Sequence, residues 1–120
     1  MVDNKALLNA TLIGTVLQLA MVVAGHVVPY IALHVFMFGG MAISALAGVL
    51  YGWGPVGFAG ASLGGAVAGG VCALIGIAVS VILGDTASFV LAVGTVSSAV
   101  TGALGGALGR ALLASRRAPA

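Results

Sequence analysis

Apolar residues fill four long stretches of the chain, and three short breaks separate them. Each break contains residues that interrupt or cap helices, and the breaks are Gly25 to Pro29, Gly52 to Pro55 and Gly84 to Thr86. A helix needs about 20 apolar residues to cross the hydrocarbon core of a bilayer, and each stretch reaches that length. The pattern therefore predicts spans at about 6–28, 30–51, 55–83 and 86–109.

The first break is the weakest of the three, because its loop is short and apolar. One kinked helix is excluded there, since about 45 apolar residues are twice what a bilayer needs. Two arrangements remain: a tight hairpin between two full spans, or a three-span protein with one re-entrant segment. We predict four spans in a single transmembrane domain, residues 1–120, with a basic cytoplasmic tail at 110–120.

The composition decides what surrounds these helices. Hydrophobic residues make up 62% of the chain and charged residues 5%, against about 25% charged residues in a typical soluble domain. So few charges cannot solvate a surface, so lipid must surround the protein, and the same shortage of charge excludes a disordered chain. The net charge of +2 is too small to indicate a nucleic-acid partner.

The basic residues fix the expected orientation. Lys5, Arg110, Arg116 and Arg117 all lie near the two ends of the chain. An even number of spans puts both ends on one side, and the positive-inside rule makes that side cytoplasmic. We therefore expect an all-α, multi-pass protein of the bacterial inner (plasma) membrane: a compact, glycine-rich antiparallel bundle of four helices with both termini cytoplasmic.

Small residues recur every fourth position in the third and fourth spans, which places them on continuous helix faces. The glycines of these faces are Gly60, Gly64, Gly65, Gly69, Gly94, Gly102 and Gly106. In a membrane such faces let helices approach closely, so they predict contact between the third and fourth spans. Plain helix packing explains them, and a gated pore or subunit interface is the functional alternative. Because the third span has two such faces, we also expect a homo-oligomer.

The first span carries a polar stripe formed by Thr11, Thr15 and Gln18. A polar face is costly against lipid and is expected to point inward. The stripe is a candidate path for a small solute. The alternative is structural, with the threonines bonding their own helix and Gln18 bridging two helices.

Span counting places His26, His34 and Asp85 near the outer surface, opposite the cations. An Asp–His cluster there would relay protons or sense acidity. The simpler interpretation of Asp85 is an N-cap of the fourth helix.

His34, Met37 and Met41 share one face of the second span and are weak candidates for binding copper or haem iron. They are too few for a complete ligand set, so we predict no metal and no cofactor, and keep copper or haem as the alternative. The single cysteine, Cys72, is interpreted as a small packing residue.

The chain contains no Ser-His-Asp, P-loop, HExxH or CxxC pattern, so it is not expected to be an enzyme. The leading hypothesis is a homo-oligomeric channel or transporter-like protein for a small solute. The alternatives are an accessory or assembly subunit of a larger membrane complex, and a holin-like pore former.

Overall fold

The computed structural model describes residues 4–53 and 57–117, and within those ranges it contains helices and no strand. The helices are α1 (Asn4–Val27), α2 (Pro29–His34), α3 (Phe36–Gly52), α4 (Phe58–Ile82) and α5 (Val90–Arg117). Three of them, α1, α4 and α5, are long and apolar enough to cross a membrane, and α3 is a shorter apolar helix of 17 residues. The all-α class is therefore confirmed, and the apolar helices are those of a multi-pass membrane protein.

The second predicted span is divided into α2 and α3. Val28 is extended (φ −118°, ψ 97°) and Pro29 occupies the first turn of α2, where its missing N–H is not needed. The prediction of one helix over 30–51 is wrong at Val35, where α2 ends and α3 follows. The interruption is mild, because Val35 still donates to the Ile31 carbonyl at 2.9 Å. No glycine or proline marks this position.

Gly84 ends α4, as the sequence predicts. Its φ of +82° is the left-handed conformation that glycine adopts most readily. The Asp85 N–H bonds the Ser80 carbonyl and the Gly84 N–H bonds the Val81 carbonyl, both at 3.0 Å. This pair of bonds is the Schellman motif, which satisfies the last carbonyls of a helix.

The predicted start of the next helix at residue 86 is wrong, because α5 begins at Val90. The residues between form turns, with the Val90 N–H bonded to the Ala87 carbonyl at 3.1 Å. Asp85 therefore lies too many residues before Val90 to be the N-cap of α5. Its carboxylate bonds His26 instead.

Contacts between helices define their directions. Gly14 and Gln18 of α1 meet Cys72 and Gly76 of α4 in the same order, so α1 and α4 run parallel. The α5 glycines Gly105 and Gly109 meet Ala45 and Val49 of α3 in the same order, whereas α4 runs antiparallel to both α3 and α5. Asn4 and Arg117 consequently lie at one end of the bundle, which we call the terminal end. The opposite end, with the α1–α2 and α4–α5 connections, is the loop end.

Three helices touch through their backbones in the terminal half. We call this contact the glycine seam, and it consists of Gly48, Gly52, Gly65, Gly102 and Gly106. A Cβ at any of these positions would overlap a backbone atom of a neighbouring helix. Small residues make such close approach possible. The helix α1 lies on the opposite flank of the α3–α4 pair from α5, and these two helices do not pack against each other.

Both small faces of α4 are occupied within the chain. Gly65 and Gly69 face α5, while Gly64 faces Tyr51 of α3 and Gly76 faces Gln18 of α1. Of the other predicted packing glycines, Gly94 abuts the Ile77 side chain and Gly60 is half-buried. The homo-oligomer stays a prediction. Its sequence argument, an unoccupied second face of α4, does not hold in this structure, because both faces contact other helices.

Candidate functional site

The helices that meet at the glycine seam separate toward the loop end. A Cβ at Gly39 or Gly40 would meet only side chains of α1 and Val35, and none of α4 or α5. The separation leaves a cavity of about 500 Å³ bounded by α1, α3, α4 and α5. Small-molecule sites in proteins commonly enclose about 300–1,000 Å³. The cavity is therefore the candidate functional site.

Gln18 forms the polar floor of the cavity. Its side chain is only 2% exposed, and its Nε2 donates to the Gly40 carbonyl at 3.0 Å and to Ser44 Oγ at 3.3 Å. A carbonyl acceptor requires the nitrogen of the carboxamide, so this contact fixes the orientation of the amide. Gln18 thereby joins α1 to α3, as the structural alternative for the polar stripe predicts.

A second layer of hydrogen bonds lies beneath Gln18. Ser44 Oγ donates to the Gly69 carbonyl at 3.1 Å, and Cys72 Sγ donates to the same oxygen at 3.3 Å. Ser44 and Cys72 are fully buried. Ser44 was not predicted as a site residue, although its place four residues after Gly40 and four before Gly48 puts it on the face that packs inward.

The α4–α5 connection lines the part of the cavity nearest the loop end, which we call its mouth. Asp85 and Thr86 line it, and Thr86 Oγ1 is 2.6 Å from Ser80 Oγ. The Schellman motif at Gly84 turns the chain so that these two side chains face the bundle. Ser80 and Thr86 were not predicted as site residues, because neither stands in a recognisable motif.

His26 and Asp85 come together at this mouth. His26 Nδ1 lies 2.8 Å from Asp85 Oδ2, and the side chains are 49% and 21% exposed. The contact ties the end of α1 to the α4–α5 connection. When the imidazole is protonated the contact is an ion pair, and when it is neutral it is a hydrogen bond to a carboxylate.

His34 does not join the pair in this structure. Its ring is exposed and lies against the ring of Tyr30, with 4.4 Å between the ring centroids. Of the predicted outer cluster, the structure therefore brings two members together and places the third in an aromatic contact on α2.

Thr11 and Thr15 are half-buried and do not line the cavity. Between them on α1, Gly14 packs directly against Ala47 and Cys72. The polar stripe thus reaches the cavity only at Gln18, and close packing replaces it toward the terminal end.

The walls of the cavity are mainly apolar. Their large side chains include Phe36, Met37, Met41, Ile77 and Phe89. Two of the weak metal candidates, Met37 and Met41, are therefore wall residues. Within residues 4–53 and 57–117, no group of three or more His, Cys, Asp or Glu side chains is placed to hold a metal ion.

The site is thus a partly open, mainly apolar cavity with an amide floor, a carboxylate and two hydroxyl groups at its mouth, and a packed layer beneath. Such a chamber can bind and orient a small molecule with an apolar body. Comparison of the chain with protein-family models, with curated proteins and with solved structures finds no match.

Proposed function

We propose that this protein is a transporter-like membrane protein that binds a small solute in the cavity at its loop end. The observation that carries the proposal is the cavity itself, which lies between four helices and has few polar groups on an apolar wall. That combination is typical of small-molecule sites.

The closure of the opposite half supports a transporter over an open channel. The cavity ends at the Gln18 layer, and the glycine seam fills the bundle below it. Passage through the protomer therefore requires the seam to open. In the seam α5 meets α3 and α4 through backbone atoms at Gly102 and Gly106, so few interlocked side chains oppose a shear motion of α5 against that pair.

The orientation in this proposal follows from charge. Lys5 and Arg110 lie toward the terminal end, as do residues 116 and 117 at the end of α5. The positive-inside rule then makes the terminal end cytoplasmic and turns the cavity outward. We place the protein in the bacterial inner membrane as a four-span protein, with α2 and α3 together forming the second span, and we keep a homo-oligomer as its assembly.

Site-directed cysteine labelling tests the proposal. In a Cys72→Ala background, Ser97→Cys places a thiol in the cavity wall, and Thr101→Cys places one a turn closer to the terminal end. A membrane-impermeant maleimide should modify Ser97→Cys only from the loop side. If the protein alternates between a cavity open at the loop end and one open at the terminal end, the maleimide should also reach Thr101→Cys from the terminal side. The control is Leu104→Cys on the exposed apolar surface. The maleimide should not modify this thiol from either side, because a thiolate does not form in lipid.

The outcomes separate the function classes. A Ser97→Cys thiol that resists modification from either side would contradict the outward cavity. Modification of Ser97→Cys without any modification of Thr101→Cys would favour the accessory-subunit alternative. A holin-like protein would instead kill the cell on overexpression.

A further inference from the structure

We infer that the cavity binds an organic cation with an apolar body, and that this cation replaces His26 as the partner of Asp85. The inference rests on the proposed function and names the solute class for the same site.

The charge in the cavity is negative. Asp85 lines it, and Asp85 is the only acidic side chain among residues 4–53 and 57–117, because the second acid of the sequence, Asp3, lies outside them. No lysine or arginine lines the cavity. The carboxylate is mostly shielded from solvent, at 21% exposure, and charges attract more strongly where water is excluded. An anionic solute would meet repulsion there, whereas a cation would meet its counter-ion.

The walls of the cavity suit a cation with apolar substituents. Phe36 and Phe89 line the cavity, and aromatic faces attract ammonium groups through their quadrupole. The flexible thioethers of Met37 and Met41 adapt to varied apolar shapes. The hydroxyl groups of Ser80 and Thr86 already bond each other at 2.6 Å, so they are less available to hydrogen-bond a ligand.

His26 holds the place that a bound cation would take. Its Nδ1 contacts Asp85 Oδ2 at 2.8 Å. The other titratable side chains described at the loop end are Tyr30 and His34, whose tilted rings lie against each other. At this end, α3, α4 and α5 contribute none, because Tyr51 and Arg110 lie toward the terminal end and Cys72 lies midway along α4.

Competition follows from this geometry. His26 and a bound cation would share one carboxylate, and a protonated imidazole would neutralise the charge that attracts the cation. Binding of the cation therefore weakens the contact between His26 and Asp85, and removal of the imidazole leaves the carboxylate to the cation.

Calorimetric titration of the full chain in an uncharged detergent tests the inference. The probes share one ring and differ in charge: benzyltrimethylammonium, benzyl alcohol and benzenesulfonate. Near pH 8 we expect the cation to bind at least about tenfold more tightly than the alcohol, and the sulfonate not to bind. Asp85→Asn should weaken cation binding by about tenfold or more and leave the alcohol unchanged, while Asp85→Glu should retain binding of the cation. His26→Gln removes the competing imidazole and should leave the cation bound at least as tightly as in the unmodified protein.

Variants of the cavity separate this inference from the proposed function. Gly40→Leu fills the chamber, because a Cβ at Gly40 meets only ordinary contacts, and it should abolish binding of both probes. Leu63→Phe adds volume on the exposed surface and should change nothing.

Equal affinities for the cation and the alcohol in the unmodified protein would overturn the cation inference and leave the binding cavity standing. This comparison decides the question even if Asp85→Asn fails to fold. If no probe binds to the unmodified protein, both the inference and the binding site of the proposed function fail.

Discussion

The ring of Tyr51 lies directly over the backbone of Gly64. Tyr51 is fully buried, and a Cβ built on Gly64 would overlap the ring atoms Cε2 and Cζ. The contact joins the end of α3 to the first half of α4. It also takes Tyr51 out of the aromatic belt at the membrane surface, which is where a tyrosine at the end of a span is commonly found.

Gly64→Leu should therefore destabilise the protein by about 1–3 kcal/mol or more, because the leucine must displace the Tyr51 ring. Leu74→Ala is the comparison, since Leu74 is partly exposed on the apolar surface. Thermal unfolding in mild detergent measures both. Gly64→Leu with an unchanged melting temperature would mean that Tyr51 does not pack on α4.

The glycine seam predicts a sharp contrast between two glycine-to-alanine changes. Gly102 touches Gly65, and a Cβ there would overlap the Gly65 carbonyl oxygen, while a Cβ at Gly57 would meet nothing within 4 Å. Gly102→Ala should lower the free energy of unfolding by about 1–3 kcal/mol. Gly57→Ala should lower it by a few tenths to about 1 kcal/mol. Equal costs, measured by denaturant titration in detergent, would contradict the seam.

Gln18 and Ser44 should be energetically coupled. Gln18→Met keeps the length of the side chain but removes the donor to Gly40 and Ser44. Ser44→Ala removes the hydroxyl group that accepts from Gln18 and donates to the Gly69 carbonyl. A double-mutant cycle should give a coupling of about 0.6 kcal/mol, the average for hydrogen bonds between membrane helices. The control cycle pairs Gln18→Met with Thr15→Val, which should be additive because Thr15 is not part of this network.

The His26–Asp85 contact predicts that the two side chains are energetically coupled. Asp85→Asn removes the carboxylate charge and His26→Gln removes the imidazole. In a double-mutant cycle, the double variant should lose less stability than the sum of the two single variants, because either change alone already breaks the contact. Since the pair is partly exposed, the coupling should stay within about 1 kcal/mol. Additive losses, measured by thermal unfolding in detergent, would argue against the contact.

The topology has its own test. A reporter that is active only outside the cytoplasm should be inactive after Ala120, which lies outside the described residues, and active when inserted at Ala87 in the α4–α5 connection. Activity of the reporter after Ala120 would contradict the four-span orientation and favour the three-span alternative with one re-entrant segment.

Much of this fold can be derived from the sequence, because glycine and proline act locally. Pro29 and Gly84 mark real helix ends for the reasons that their backbone chemistry gives. The proximity of His26 and Asp85 follows from counting spans. The break at Val35 and the start of α5 at Val90 escape such reasoning, since neither position has a local signal.

The cavity could not be predicted, because it arises from how far apart helices sit and not from any one residue type. Gly40, Gly48 and Gly52 share one four-residue repeat of α3, yet Gly40 meets α1 whereas Gly48 and Gly52 meet α5. Gln18 was predicted from its polarity within an apolar span, whereas Ser80 and Thr86 matter only through the connection that brings them to the mouth.

The glycine seam has a consequence for the entropy of assembly. Membrane helices are already formed before they associate, so the backbone freedom that glycine loses on ordering is lost at insertion and not at packing. Glycine and alanine have no rotamers to restrict, whereas an ordered leucine side chain costs about 0.5–1 kcal/mol. When α3, α4 and α5 come together at Gly48, Gly65 and Gly102, almost no side-chain freedom is lost. Weak dispersion contacts between backbones are then sufficient to hold three helices together without water to drive them.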